Sequence, residues 1–456
     1  MQIFSLYGNF RNFINDSPIL KNTSITLALR ISGAGLLFVF NLLIVRFLGL
    51  ESSGVLFLAL TVVNILSTVF LFGVDQYILR TIAGEERVHY KKHYFKQGLI
   101  LVSVVSAVGS IITMAASGAL ASIFHSPQLK DTIVILGFSL PFLTILTYLG
   151  YMMQAQKKFA KAVFILTNCL YLLSAFIIIM LKISHLVSLS YISAAITVAT
   201  IISFVISYAI AAKEYNFEKL DQLGSTPSIS QRDIALNSSH LFLVSIITLG
   251  LGWVDVLIVG YFLPEASVSI YSVASKLAKL LTFVLFAINI VVAPSVSKYF
   301  KSNDKNKLNE VLQKSTILSI VFCTPLLLLF LLLPNLFLSI FGHDYIKGVE
   351  AFRLLCVGQA INALTGAVLI VMTMVGLEKK MNLLSSLSLV AVIILGIILT
   401  PRYGINGMAF STMIGLALVN MSGVYYLKKY HSIQILPTKS YIKKLIIPHA
   451  KNSPSR

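Results

Sequence analysis

Asn41-Leu-Leu-Ile-Val-Arg-Phe-Leu-Gly-Leu-Glu-Ser-Ser53 closes one long apolar run and enters the next. Asp255-Val-Leu-Ile-Val-Gly-Tyr-Phe-Leu-Pro-Glu-Ala-Ser267 does the same 214 positions later. Leu43, Ile44, Val45, Glu51 and Ser53 recur in the second stretch as Leu257, Ile258, Val259, Glu265 and Ser267. Apolar runs draw on few residue types and resemble one another by chance. The matched Glu and Ser in the polar turn argue instead for an internal duplication, and so for a chain built from two halves.

Around these stretches lie the apolar runs themselves. A helix crosses the hydrocarbon core of a bilayer in about 20 apolar residues. Runs of that kind occupy 25–45, 54–73, 98–123, 132–153, 162–181, 187–211, 235–262, 268–297, 316–341, 352–376, 383–400 and 405–427, twelve in all. They are long and continuous, without the period-two alternation over about ten residues of a membrane β-barrel. Of the 456 residues, 57% are hydrophobic and 12% charged, against about 25% charged in a soluble domain. Mean hydropathy is +0.87. A water-soluble fold of this composition would have an apolar, aggregating exterior. Soluble globular, disordered and nucleic-acid-binding classes are excluded. Cys169, Cys323 and Cys356 fall inside apolar runs and read as small core residues, not a disulfide framework. The first 24 residues lack the ordered regions of a cleaved signal peptide, and none is expected.

Orientation follows from Lys and Arg in the loops. With the N-terminus cytoplasmic, 27 of the 36 basic residues fall on the cytoplasmic side, 6 on the outer side and 3 inside runs. The net charge of +19 is thus mostly a topology signal, suited to anionic lipids of the cytoplasmic leaflet. Both termini are then cytoplasmic. Six runs separate the duplicated stretches, so the copies share one orientation and form a parallel repeat. The expected fold class is an all-α polytopic membrane protein with twelve transmembrane helices in two six-helix bundles. Residues 1–211 make the N-terminal bundle and 212–234, centred on Gly224-Ser-Thr-Pro227, a cytoplasmic linker. Residues 235–427 make the C-terminal bundle, and 428–456 a basic cytoplasmic tail.

Polar residues inside the runs locate a candidate site, because ionisable groups in a bilayer are costly and usually functional. The first run carries Arg30 and Asn41, three turns apart on one face. The second carries Thr61, Asn64, Thr68 and Asp75 on one face. The seventh carries Ser245, Thr248, Gly252 and Asp255, and the eighth Ser269, Ser272, Lys276, Lys279 and Thr282. Lipid would not tolerate these stripes, so they face one another or water. Lys276 and Asp255 both sit ~10–12 Å below the outer end of their helices. Asp255 either pairs with Lys276 or titrates or binds Na⁺ and couples transport to an ion gradient. Arg30 is near enough to its helix end to snorkel, whereas Lys279 lies close to the midplane. Three cations against one acid imply an anion arriving from outside the chain.

Other constellations carry less. His89-Tyr-Lys-Lys-His93 has the spacing of a metal pair, but in a charged cytoplasmic segment it reads as a solvated helix face. Pro294, Pro325 and Pro334 are expected to kink helices. There is no Walker loop, paired carboxylates, nucleophile elbow or zinc motif in any loop. The longest outer loop, 342–351, is too short for a catalytic domain. No enzymatic reaction, cofactor, metal or nucleic acid partner is expected.

Arg46-Phe-Leu-Gly-Leu-Glu-Ser-Ser-Gly54, continuing to Phe72-Gly-Val-Asp-Gln-Tyr-Ile-Leu-Arg80, resembles the opening of the Wzx-type polysaccharide-transport flippases. So do Asp255-Val-Leu-Ile-Val-Gly260, then Tyr271-Ser-Val-Ala-Ser-Lys276-Leu-Ala-Lys279 with Ala293-Pro294, and Phe341-Gly342 with Leu354-Leu355 and Gly358-Gln359. Ser269 and Leu56 stand where Gly and Tyr are common, without a change of charge. The resemblance implies the multidrug/oligosaccharidyl-lipid/polysaccharide exporter fold, two bundles in a V with helices 1, 2, 7 and 8 lining the cavity. It implies alternating-access transport of undecaprenyl-diphosphate-linked oligosaccharide, the repeat unit of O-antigen or a related surface polysaccharide, across the bacterial inner (cytoplasmic) membrane. A polysaccharide polymerase and a chain-length regulator are the implied partners. On this reading Arg30, Lys276 and Lys279 hold the diphosphate, and Asn41, Asn64, Thr68 and Ser272 line the path of the sugars. Asp255 couples the cycle to an ion. Two rivals share the superfamily. A multidrug efflux antiporter moves mostly cations and needs acids in its cavity, against the sign found here. A peptidoglycan-precursor flippase often carries fourteen spans.

Overall fold

In lipid, backbone polar groups find partners only within a helix or a closed barrel, and these long unpatterned apolar runs take the first route. The computed structural model describes residues 18–83, 88–215, 230–438 and 441, and no strand occurs among them. In chain order the helices of the first part are α1 Pro18–Leu48, α2 Leu50–Leu71, α3 Val74–Ala83, α4 Val88–Ala115 and α5 Ser117–Ile123. Next come α6 Pro127–Gly137, α7 Leu140–Ala155, α8 Phe159–Ile183 with a π-helical turn at Phe164–Asn168, α9 Leu189–Tyr215 and α10 Gln231–Phe262. The rest are α11 Glu265–Lys279, α12 Thr282–Lys301, α13 Lys305–Leu332, α14 Pro334–Ser339, α15 Val349–Leu364, α16 Val368–Met374 and α17 Glu378–His431.

Among the described residues most of each of the twelve apolar runs is helical, but 98–123, 132–153, 268–297, 316–341 and 352–376 are each divided between two helices by a short break. Among the described residues, nine helical segments are long and apolar enough to cross a membrane, or ten if the pair α6–α7, bent by 54°, is one span. The 54-residue α17 holds two of the runs, divided at Gly404, whose φ of 59° and ψ of −143° leave the helical region. Large apolar side chains such as Ile111 (69% exposed) and Leu332 (73%) cover the outside, as a lipid-facing surface requires.

Two expectations change in detail. The second run stops at Leu71, because Phe72 and Gly73 both take positive φ (51° and 72°) and close the helix. Asp75 therefore opens α3 and does not continue the stripe of Thr61, Asn64 and Thr68. The eighth run is not one helix: α11 ends at Lys279 and α12 begins at Thr282.

The chain forms two compact units, Met1–Ser269 and Ile270–Arg456. In the first, α10 packs on α2, α3 and α4, and glycines permit the close approach of α10 at Gly73 and of the start of α11 at Gly54. A Cβ on Gly54 would overlap the Glu265 carbonyl, and one on Gly73 would strike the backbone at Ser238 and Phe242. The Ser53 and Ser269 hydroxyls share a hydrogen bond of 2.7 Å. So the helix that the duplication assigns to the second half is held in the contacts of the first unit. An apolar cluster including Leu71, Ile78, Phe95, Tyr148 and Met152 fills one end of this unit. The second unit is built on α15 against α17 and α12 against α13, with a core including Val296, Leu312, Val368 and Leu427. Hydroxyls cross between its helices: Ser319 donates to the Ala363 carbonyl at 2.9 Å and Ser388 to that of Gly415 at 2.6 Å. Small polar residues of this kind let membrane helices approach closely. Most of the expected linker and tail lies outside the described residues, as does the side chain of His89.

Candidate functional site

The site is best defined in the second unit, where α11 stops. Lys276 and Lys279 occupy its last turn, and two β-turn-like bonds take up the loosened backbone. Leu280 N–H donates to the Leu277 carbonyl (3.0 Å) and Leu281 N–H to that of Ala278 (3.1 Å). The Thr282 hydroxyl donates to the Lys279 carbonyl at 2.6 Å. Lys276 is half-buried and Lys279 exposed, and the two ammonium groups are within electrostatic reach of each other. A helix C-terminus favours cations by about 0.3–1 kcal/mol each, which partly offsets their repulsion.

Beside this break, in the same unit, lies a cavity of about 250 Å³. Thr282, Asn289, Asn362 and Asn420 supply its polar wall, and Leu285 and Ile370 part of its apolar wall; none of its lining residues is ionisable. Asn420 is almost fully buried and donates through Nδ2 to the Leu416 carbonyl at 2.9 Å. Asn289 Oδ1 is buried without a hydrogen-bond partner. Three carboxamides and a hydroxyl offer donors and acceptors without charge, which suits a neutral hydroxylated ring. Sequence reasoning missed this cavity, because its three asparagines are single residues on three separate helices.

The first unit holds Arg30, Asn41, Asn64, Thr68 and Asp255; the second holds Ser272, Lys276 and Lys279. Arg30 is exposed on α1. The segment around it is clasped by Asn168, which the sequence reading did not single out. From the π-helical turn of α8, Asn168 Nδ2 donates to the Leu29 carbonyl (3.0 Å) and to Ser32 Oγ (2.7 Å). Asn41 is buried and Asn64 and Thr68 are half-buried. All three donate to carbonyls four residues back, of Leu37, Leu60 and Asn64. These donors serve their own helices, and each asparagine carboxamide keeps a second N–H and its oxygen. Asp255 is 3% exposed and its Oδ1 accepts from Val256 N–H at 2.9 Å. Ser272 is 2% exposed and its Oγ has no partner. Among the described residues no cluster of His, Cys, Asp or Glu could hold a metal ion.

The polysaccharide biosynthesis protein family matches residues 19–300, more than half of the chain. The chain belongs to that family. The MatE family matches residues 241–402. An uncharacterized membrane protein of Methanocaldococcus jannaschii is 22% identical over 390 residues, 81% of this chain and 76% of its own length. A Haloferax volcanii protein named "Probable low-salt glycan biosynthesis flippase Agl15" is 24% identical over 186 residues, 40% of this chain and 39% of its own. Among solved structures, the lipid II flippase MurJ in an inward closed conformation superposes with a TM-score of 0.71 at 15% identity, covering 94% of this chain and 90% of that one. Family membership bears out the resemblance carried by the Arg46–Arg80 and Asp255–Lys279 segments. The structural likeness shows that the chain shares MurJ's polytopic helical fold.

Proposed function

We propose that the protein is a flippase for polyprenyl-diphosphate-linked oligosaccharide, most specifically the undecaprenyl-diphosphate-linked repeat unit of a bacterial surface polysaccharide such as O-antigen. The observation that carries this reading is the juxtaposition in one unit of a two-lysine helix end and an uncharged carboxamide cavity. The lysines suit a diphosphate, which Lys binds as a point charge. The cavity suits the sugar next to it, and Thr282 belongs to both. Arg30 and the stripe of Asn41, Asn64, Thr68 and Ser272 are assigned to the same path, and Asp255 to ion coupling. The polyprenyl tail stays in hydrocarbon. Alternating access arises from motion of the repeat halves, 1–211 and 235–427, about the linker 212–234. The flippase named among the relatives supports the assignment.

The test is translocation in proteoliposomes containing the purified protein and a lipid-linked oligosaccharide whose sugars a membrane-impermeant glycosidase can reach only from outside. The protein is expected to expose internal substrate, and Lys276→Gln/Lys279→Gln is not. Exposure at the protein-free rate overturns the proposal. The likeness to MurJ favours a second reading, transport of a peptidoglycan precursor. Equal or faster exposure of lipid II in the same vesicles would select it.

A further inference from the structure

Among the described residues of the first unit, Asp75 is a buried carboxyl that the transport path does not use and that has an oxygen without a hydrogen-bond partner. It stands in the first turn of α3 and is 4% exposed. Gln76 Nε2 donates to Oδ2 at 3.1 Å, while Oδ1 is buried with no partner. Its chain neighbours Leu71, Val74 and Ile78 belong to an apolar cluster that also takes in Tyr148 and Met152 of α7 and Ile234 of α10. Gly73 brings the start of α3 into contact with the backbone of α10 at residues 238–242. There Ser238 Oγ is a second buried group without a partner.

A carboxylate so placed must be neutralised, because an isolated buried charge is far too costly to keep. Among the described residues no cation does it. Of the groups on helices packed against α3, Tyr148 spends its hydroxyl on the Phe95 carbonyl (2.9 Å). Tyr151 lies within electrostatic reach but is neutral. Tyr94 stacks edge-on with Tyr77, and Arg80 and Arg232 are exposed. Lys92, His93 and Lys96 on α4, and Asp233 on α10, make no charge contact with the Asp75 carboxyl. Burial pushes that carboxyl above its usual range, opposed by hydrogen bonds from the Gln76 side chain and from the backbone N–H groups of Gln76 and Asp75. A metal cation would need about six oxygens, which Asp75, Gln76 and Ser238 do not supply.

We infer that Asp75 is a proton-binding site: its carboxyl carries a proton while the start of α3 is packed on α10, and releases it when that contact loosens and water enters. The sign follows from burial. Packing disfavours the charged form, so closing the contact takes up a proton. At higher pH the ionised carboxyl favours the loosened one. The same residue then ties the position of α10 to the proton concentration on its side of the membrane.

Infrared spectroscopy of the full-length protein in nanodiscs, labelled with ¹³C-aspartate, tests this without any substrate, so the flippase reading can fail while this one stands. At neutral pH the wild type is expected to show the carbonyl band of a protonated, labelled carboxylic acid. The band should shift in D₂O and vanish on alkalinisation, with a midpoint raised above the ordinary aspartate value by burial. It should be absent in Asp75→Asn, which mimics the protonated state and keeps the fold, and equally in Asp75→Glu. His93→Gln should leave the midpoint in place. No labelled band at neutral pH, or a band that survives both Asp75 substitutions, overturns the inference. Loss of the band on adding NaCl at fixed pH overturns it in favour of a metal cation.

Discussion

Neutralising Lys276 and Lys279 separates a diphosphate site from a pair of lysines that merely cap a broken helix. A hydrogen bond to a charged partner contributes about 1.5–3 kcal/mol net, and about 1.4 kcal/mol is tenfold in affinity. Lys276 is half-buried, so Lys276→Gln should weaken binding of undecaprenyl diphosphate about 10- to 150-fold. Lys279 is exposed and screened by solvent, which brings it to about 0.2–1 kcal/mol, a loss of up to about fivefold. The two lysines share one turn and one ligand, so the double variant should lose less than the product of the single losses. Lys276→Arg should retain most of the affinity, since the charge and a donor remain. The assay is equilibrium binding in nanodiscs at two salt concentrations, with undecaprenol, the same chain without phosphate, as reference. Wild-type selectivity for the diphosphate should fall as salt rises. A double variant within twofold of wild type for the diphosphate, or an equal loss for undecaprenol, refutes the reasoning.

Three further outcomes follow from particular contacts. Asn168→Ala removes two bonds to α1 beside Arg30; at about 0.5–1.5 kcal/mol each it should destabilise the protein by about 1–3 kcal/mol, read as a lowered thermal midpoint in detergent. Gly54→Ala forces a methyl group onto the Glu265 carbonyl and should cost at least the roughly 1–3 kcal/mol of an overpacked core. Proteolysis of the 262–268 turn should accelerate with it, while an unchanged midpoint would show that α10 can shift freely. At the start of α10, the Ser230 backbone N–H and hydroxyl hold the Asp233 carboxyl below the usual range. Its contribution is therefore complete above about pH 3.9, the ordinary aspartate value, and is lost as pH falls through the lower folded value. Amide exchange over residues 231–234 should accelerate on acidification in wild type, and already be fast at pH 6 in Ser230→Ala.

What the sequence made legible was whatever a bilayer imposes on composition. The apolar runs had to be largely helical because the backbone has no other partner in lipid, and among the described residues they are, although turns interrupt several of them. Lys276 and Lys279 were visible because cations inside such runs are rare enough to stand out singly. What stayed hidden depended on two backbone positions that hydropathy does not register. Phe72 and Gly73 end α2 two residues before Asp75, so a residue that helical spacing placed on the stripe of Thr68 is turned into the apolar cluster instead. The break after Lys279 lies in a run of Leu, Thr and Phe that reads as continuous helix. Asn168 and the cavity asparagines escaped for a different reason. Their partners are carbonyls and amides on other helices, and a single polar residue among apolar ones has no period to betray it.

The two hidden turns also bear on one another chemically. A helix that stops inside the membrane exposes carbonyls that draw cations to it, and at Lys279 the chain supplies those cations itself. A helix that begins at Gly73 exposes N–H groups that favour a carboxylate, and there the chain supplies Asp75, but burial removes the water that would keep it charged. The first break thus presents fixed positive charge at the end of a helix. The second presents an acid whose charge depends on whether α10 is seated. A transporter needs one group of each kind, the first to select a cargo and the second to change state as the protein moves. In this chain they lie on different units, so losing selectivity at Lys276 should leave the Asp75 titration intact.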